Sequence, residues 1–326
     1  MIRARIVGMG AYAPKRIVSN ADLEKIVDTS DDWIVQRTGI RTRHVADESE
    51  ATSDLALNAA QQALDRAGLG PEDIDFIVVG TTTPDTFFPT VGNLLQHRLK
   101  CGRAGSVDVL AACAGSLYSL AIGASFIATE KYRRVLCVGA ETLSRITDFT
   151  DRGICVLLAD GAGAAILEAG DGEHGLLDVD LYSDAQYASL ISMPGGGSRR
   201  PPTHETVDAR MHYAKMQGNE VFKVAVRMLV ESAETILRRH GLSAADVDLF
   251  VPHQANLRII EAVAKRLAVP MEKVCMNVDR YGNTAAASVY LALEEAVTAG
   301  RVQPGDLVLL GAFGAGFAWG AALIRW

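Results

Sequence analysis

The 326-residue chain has little of what marks most specialised classes. Its five cysteines, Cys101, Cys113, Cys137, Cys155 and Cys275, form no CxxC pair and no even framework, which excludes a disulfide scaffold and a thiol-zinc site and fits free thiols in a reducing cytoplasm. Basic charge is not in excess: 32 Lys and Arg face 39 Asp and Glu, a net charge of -7, which argues against general binding to nucleic acid or anionic membranes. Aromatics make up 6% and charged residues 22%, while hydrophobic residues reach 49%, so disorder is excluded and a large core is expected. The N-terminal residues 1–14 lack the apolar core of a signal peptide. Two uncharged stretches, 109–128 and 307–324, approach membrane-span length, but the first changes from strand to helix character and the second is broken by Gly311, Gly314, Gly316 and Gly320. Both therefore read as the centre of a soluble core.

What the chain does have is a repeat. Residues 64–79 reappear as residues 237–252, and each copy reads as a helix end, a glycine stop (Gly68, Gly241), a turn with Asp and a buried strand. A second echo pairs residues 135–140 with 307–312, again strands running into Gly-Ala. Repeat arrays have periods of about 20 to 50 residues, so a period this long implies two copies of one α/β unit. The expected division is 1–172 and 173–326, with the nucleophile in the first half and its partners in the second. Each half is predicted to alternate strands and helices. Residues 19–38 read as a helical entry, 155–167 as a hairpin about a Gly-rich turn and 273–277 as a strand. Gly161-Ala-Gly163 joins two strand-like runs with no helix after it, so a hairpin is preferred there over a phosphate loop. The segment 183–217, with Pro194-Gly-Gly-Gly-Ser-Arg-Arg-Pro-Pro, reads as a long irregular loop of the kind that covers a site.

Where the copies diverge, chemistry appears. After the repeated strand the first copy carries Gly80-Thr81-Thr82 and the second His253-Gln254-Ala255-Asn256. Cys113 lies where a buried strand gives way to an apolar helix, and a thiol at a helix N-terminus is expected to have a lowered pKa. His253 stands at a strand end, where ligand sites of α/β folds gather. Asn283, in Tyr281-Gly-Asn-Thr284, opens a small-residue helix one βα unit later. The other cysteines and histidines read as packing or surface residues.

Six segments carry a family resemblance: Asp31-Asp-Trp-Ile-Val-Gln-Arg-Thr-Gly-Ile40, Ala111-Ala-Cys-Ala-Gly115, Gly218-Asn-Glu-Val-Phe-Lys223, Val251-Pro-His-Gln-Ala-Asn-Leu-Arg258, Tyr281-Gly-Asn-Thr284 and Gly311-Ala-Phe-Gly-Ala-Gly-Phe-Ala-Trp-Gly320. In this order and spacing, from first strand to last residue, the chain resembles β-ketoacyl-acyl carrier protein synthase III. The resemblance implies an α/β, thiolase-like fold of two pseudo-equivalent halves in a five-layered αβαβα arrangement. It implies a cytoplasmic homodimer without a cofactor that condenses an acyl-CoA primer with malonyl-acyl carrier protein and starts fatty acid synthesis. Carried over, Cys113 is the nucleophile and His253 and Asn283 serve decarboxylation, with Phe313 near them. The backbone N–H groups of Cys113 and Ala315 form the oxyanion hole. The commoner pattern has three successive glycines where this chain has Gly314-Ala315-Gly316, so Ala315 is expected at an ordinary negative φ. Trp33, Arg37, Arg152 and Asn256 match CoA-binding positions, and Lys223, Arg258, Lys265 and Arg266 match positions that meet the acidic carrier protein. Phe88 matches the residue closing the acyl pocket from the dimer partner, and its bulk points to a short primer such as acetyl. Other condensing enzymes of the same fold share the Cys-His-Asn set. A non-catalytic acyl-binding subunit would be expected to have lost the thiol.

Overall fold

The computed structural model describes residues 2–170 and 172–326. Nine principal strands run in chain order as β1 (Ala4–Tyr12), β2 (Phe76–Gly80), β3 (Gly105–Val109), β4 (Arg134–Thr142), β5 (Asp160–Ala169), β6 (Gly175–Ser183), β7 (Leu249–Pro252), β8 (Leu307–Gly314) and β9 (Ala318–Arg325). They form two sheets. The first has the order β1-β5-β4-β2-β3, and the second β7-β8-β9-β6. The parallel pairs β2–β4 and β7–β8 are the same piece of architecture: Phe76 pairs with Val135 as Leu249 pairs with Val308, and Val79 with Val138 as Pro252 with Gly311. Every one of these partners is displaced by 173 residues, so the repeat of 64–79 as 237–252 is a structural one, while the echo of 135–140 in 307–312 is out of register by one, Val135 answering structurally to Val308.

Seven helices complete the layers: α1 (Asp31–Thr38), α2 (Thr52–Ala67), α3 (Val91–Leu99), α4 (Gly115–Ala128), α5 (Gly218–Arg239), α6 (Leu257–Leu267) and α7 (Ser288–Thr298). Helices α2 and α3 bury Leu55, Ala59, Ala63, Val91 and Leu95 against the outer face of the first sheet, with Ile77, Val79 and Leu136. Helices α5 and α6 cover the outer face of the second through Val226, Leu229, Ile260 and Val263. Between the sheets lie α4 and α7, whose Leu117, Leu120, Val289, Tyr290 and Leu293 share a core with residues of both sheets, among them Val78, Val135, Val251 and Val308. A helix sandwiched in this way is apolar on every side, which explains the uncharged stretch at 109–128. Among the described residues no helix is long and apolar enough to cross a membrane.

Three sequence expectations are corrected. Residues 19–38 are two helical pieces, Asn20–Leu23 and Asp31–Thr38, the second begun by Ser30, whose hydroxyl accepts the Trp33 N–H. Residues 155–167 are no hairpin: Arg152–Cys155 is a helical turn, and Gly161 and Gly163 lie inside the single strand β5. The glycines are there for packing, since a Cβ on Gly163 would stand 2.4 Å from the Tyr290 Cβ of α7. Residues 273–277 form only an isolated bridge, Phe250 with Val274, after a 3-10 turn Met271–Lys273. The segment 183–217 holds only short elements, including the two-stranded pair Ile191–Ser192 and Lys215–Met216.

Candidate active site

Two strand-to-helix connections, after β3 and β7, and the turn between the helical pieces Val278–Tyr281 and Ala285–Ala287 converge on one pocket of about 710 Å³. Its lining includes Cys113, His253, Asn283, Phe313 and Gly314, with Trp33, Arg37, Asn256, Lys223 and Arg258 also contributing. Thus the residues assigned to the chemistry, Ala315 excepted, and most of those assigned to CoA or carrier protein line one pocket, with Arg152 outside the lining.

Cys113 sits in a 3-10 turn, Ala112–Ala114, that joins β3 to α4. Ala112 adopts φ 46°, a left-handed conformation that costs an L-residue about 1 kcal/mol. A close approach helps fix this turn: Gly314, the last residue of β8, lies so near that a Cβ on it would stand 2.5 Å from the Cys113 backbone N. The expectation of a lowered thiol pKa does not hold. Helix α4 begins only at Gly115, and burial, reinforced by the nearby charge of Glu141, pushes the Cys113 thiol up to about 12. The resting nucleophile is a neutral thiol. Below its pKa the thiolate fraction grows about tenfold per pH unit, so alkylation of Cys113 by iodoacetamide is expected to climb steadily from about pH 7 to about pH 10. A rate that levels off near pH 7 would contradict this assignment.

His253 follows β7, its backbone N–H donating to Gly311 O at 2.7 Å. The imidazole is buried and desolvation pushes it down to about 3, so it is neutral at physiological pH. Its Nδ1 lies 2.6 Å from Oγ of the buried Ser288, the first residue of α7. That oxygen also accepts a long bond from Gln254 N–H at 3.4 Å. A hydroxyl donates once and accepts twice, so Ser288 Oγ is free to donate to Nδ1 while accepting Gln254 N–H, the arrangement that puts the imidazole hydrogen on Nε2. Phe313 presents an edge-on ring 5.6 Å from the imidazole, and Phe317 stacks behind it at 6.4 Å.

Asn283 is held by its own backbone, donating to Leu157 O and accepting from Ala159 N–H, both at 2.9 Å. Its Oδ1 accepts the Ala285 N–H at 2.9 Å, so the amide cannot flip without losing a bond and its NH2 is the end left for a ligand. His253 and Asn283 thereby bring two neutral hydrogen-bond donors to the pocket that Cys113 lines.

At the mouth, the guanidinium groups of Arg37 and Arg152 stand 5.8 and 5.1 Å from the Trp33 ring. Arg152 also pairs with Asp28. Asn256 caps α6: its Oδ1 takes the Arg258 N–H at 2.8 Å and its NH2 donates to Arg37 O at 3.0 Å. Both ends of that amide are thus occupied. Arg258 stacks over Phe222 at 5.7 Å and Lys223 pairs with Glu220. Lys265 and Arg266 are exposed in the last turn of α6 and lie outside the pocket lining. Phe88 is 85% exposed and does not reach the pocket. Ala315, half-buried beyond β8, has no positive φ, as expected.

The loop 183–217 contributes Ile191 and Met216 to the lining. It is anchored by buried Asp148, which receives Arg210 Nε at 3.0 Å and Nη2 at 2.5 Å and Lys215 Nζ at 3.3 Å. These bonds hold its carboxyl well below the usual range. Sequence reasoning missed Ser288 and Asp148. The only signal for Ser288 was its place five residues after Asn283, on the helix that follows.

A doubled α/β frame with thiol, imidazole and amide in one pocket defines a condensing acyltransferase of the thiolase type. Sequence models of 3-oxoacyl-[acyl-carrier-protein] synthase III match residues 107–185 and, for its C-terminal part, residues 237–326. The chain is 51% identical to β-ketoacyl-[acyl-carrier-protein] synthase III of Xanthomonas oryzae pv. oryzae, covering 100% of this chain and 99% of the relative. It is 48% identical to the enzyme of that name from Caldanaerobacter subterraneus, covering 100% and 98%. The crystal structure of 3-oxoacyl-[acyl-carrier-protein] synthase III from Aquifex aeolicus aligns with a TM-score of 0.93 at 42% identity, over 99% of this chain and 100% of that one. The chain belongs to the β-ketoacyl-acyl carrier protein synthase III family. Among the described residues no group of three or more His, Cys, Asp or Glu is placed to hold a metal ion.

Proposed function

We propose that the protein condenses an acyl-CoA primer, acetyl-CoA first among them, with malonyl-acyl carrier protein, giving a β-ketoacyl-acyl carrier protein and starting fatty acid synthesis without a resident cofactor. The observation that carries this reading is the meeting of Cys113, His253 and Asn283 in one pocket also lined by Trp33, whose ring has the Arg37 and Arg152 guanidinium groups near it. In the first half-reaction the Cys113 sulfur forms a thioester with the primer acyl group, and CoA leaves as a thiol carrying the proton that Cys113 gives up. In the second, malonyl-acyl carrier protein loses CO₂ and its thioester becomes an enolate, whose oxygen receives hydrogen bonds from His253 Nε2–H and the Asn283 amide. The enolate carbon attacks the acyl-Cys113 carbonyl, whose oxygen is held by the Cys113 and Ala315 N–H groups. The carbon–sulfur bond breaks and Cys113 is reprotonated from solvent. Phe313 keeps the wall beside the imidazole apolar.

Trp33, Arg37 and Arg152 are assigned to the adenine end of CoA, and Asn256 to the pantetheine arm through its outer face. Lys223, Arg258, Lys265 and Arg266 form the docking patch for the acidic carrier protein. Assembly as a homodimer, which we assign to the cytoplasm, is supported by exposed apolar side chains: β3 ends its sheet, Leu110 just after it is 79% exposed, and Phe87 and Phe88 in the connection from β2 to α3 are 80% and 85% exposed. Phe88 then closes the partner's acyl pocket. The halves divide at 172/173, each carrying its share of the site.

Intact-protein mass spectrometry after mixing with a panel of acyl-CoAs tests the proposal. The expected result is one acyl group on Cys113, greatest with acetyl-CoA. Acylation only by long-chain, aromatic or carrier-bound donors would replace fatty acid initiation with a specialised condensation.

A further inference from the structure

Arg43, in the short strand Thr42–Val45 that pairs with Arg16–Ser19, is only 1% exposed. Its guanidinium pairs with no carboxylate among the described residues. Nη2 donates to Val156 O at 2.9 Å and Nη1 to Val18 O at 3.3 Å, while the buried Nε meets no acceptor among the described residues. Buried charges are ordinarily paired, and a lone one is costly. Burial brings this guanidinium down to about 10, so it is still a cation at pH 7. The chain around Arg43 touches both flanks of Asn283. On one flank, Arg41 N–H donates to Asp279 O at 2.8 Å, Thr42 Oγ1 donates to Arg280 O at 2.8 Å, and the His44 and Tyr281 rings stack at 5.2 Å. Gly282 follows with φ 68°, and a Cβ there would stand 3.2 Å from the Arg43 Cβ and 3.1 Å from Leu157 O. On the other flank is the segment 156–160, whose Leu157 O and Ala159 N–H hold the Asn283 backbone. Both ends of that segment are tied to residues 43–46: Arg43 Nη2 donates to Val156 O, and Ala46 N–H donates to the buried Asp160 Oδ2 at 2.7 Å.

We infer that Arg43 is a positioning residue for decarboxylation: its guanidinium, by holding Val156 O, sets the place of the segment 156–160 and through it the place of the Asn283 amide. The inference rests on the role proposed above for Asn283. The path is short, since Val156 is the neighbour of Leu157, whose carbonyl takes the Asn283 N–H at 2.9 Å. Val156 also closes the helical turn Arg152–Cys155, so its carbonyl stands at the end of a helix, where a cationic donor is the favoured partner. Val156 is buried, and without the guanidinium its carbonyl loses this donor where water does not replace it. The segment then shifts, and Asn283, bonded to it on both sides of one peptide, shifts with it. An arginine is suited to this place because its planar fork reaches two carbonyls at once, Val18 O and Val156 O, which a lysine, a single point donor, does not. Cys113 is placed by other means. Its turn lies against Gly314 of β8, so acylation does not depend on Arg43.

A double-mutant cycle in the full-length enzyme tests this. Arg43→Lys keeps a cation and loses the fork. It is expected to acylate Cys113 within about threefold of the wild-type rate at saturating acetyl-CoA, and to release CO₂ from malonyl-acyl carrier protein roughly 10- to 100-fold more slowly, in kcat rather than KM, the scale of a donor misplaced by about 1 Å. In the Asn283→Ala background the same substitution is expected to cost less than about twofold, because the amide it positions is gone. An arginine serving stability alone would cost the same in both backgrounds. Equal losses in the two, or CO₂ release by Arg43→Lys at the wild-type rate, overturn the inference. Hydrogen exchange read by mass spectrometry follows the position without activity: the Asn283 and Ala159 amides are expected to exchange roughly tenfold faster in Arg43→Lys than in wild type, while those of β8 keep their rates. Unchanged exchange at both amides overturns the inference. Should Arg43→Lys not fold, Arg43→Gln, which gives up the charge and keeps one NH2 donor, is read in the same cycle, and failure of both to fold makes Arg43 a residue of stability alone and overturns the inference. If wild type itself is not acylated at Cys113, the proposed function fails, while the exchange rates still decide whether Arg43 places Asn283.

Discussion

Cys113→Ala is expected to take no acyl group from any acyl-CoA and to lose condensation by roughly a millionfold, the scale on which an enzyme loses rate when its nucleophile is removed. The loss is selective. The donors that act on the malonyl thioester, His253 Nε2–H and the Asn283 amide, are held by Ser288 and by the Ala285 N–H, neither of which depends on the thiol. Release of CO₂ from malonyl-acyl carrier protein should therefore continue, giving acetyl-acyl carrier protein without a β-keto product. Alanine at 113 also keeps the left-handed turn at Ala112 and the contact with Gly314, so the melting temperature should stay near that of wild type. Mass spectrometry for the acyl-enzyme, with CO₂ release measured on the same sample, reads both halves. An acyl adduct on the variant would move the nucleophile elsewhere, and loss of both activities together would mean the thiol also shapes the acceptor site.

The architecture was legible because it is written twice. Repeated strands, glycine helix stops and two uncharged stretches mark the doubled frame, and strand ends followed by Cys113 and His253 mark the pocket, with Asn283 at the entry to a small-residue helix. What stayed hidden depends on neighbours distant in sequence. Gly161 and Gly163 have the composition of a turn, and only the approach of Leu291 to the first and Tyr290 to the second explains them as strand residues. The thiol of Cys113 was read from its helix end, whereas its protonation is decided by burial and by Glu141, 28 positions away. Asn256, matched in sequence to a CoA-binding position, is a helix cap with both ends engaged. Phe88 is placed on an exposed patch, and its proposed role needs a second copy of the chain.

His253→Ala and Asn283→Ala should produce the complementary defect: Cys113 is still acylated by acetyl-CoA, and decarboxylation with condensation falls about 10²- to 10³-fold in each, the cost of one donor to a developing oxyanion. The sign follows from protonation. His253 is pushed down to about 3 and stays neutral; with the Ser288 proton on Nδ1 it donates from Nε2, and thiol attack on the primer does not depend on an imidazolium. No pH break attributable to this histidine is expected in condensation between about pH 5 and pH 8. Because both donors address one oxygen, the double variant should lose less than the product of the single losses. Loss of acylation in His253→Ala would make the imidazole a base for Cys113 instead, and a break near pH 6.5, the ordinary histidine value, would show that the ring is charged when it acts. Equal decarboxylation by wild type and Asn283→Ala would leave the amide with a positioning role only, and the bond from Ala285 N–H to its Oδ1 would then be the part of Asn283 that matters.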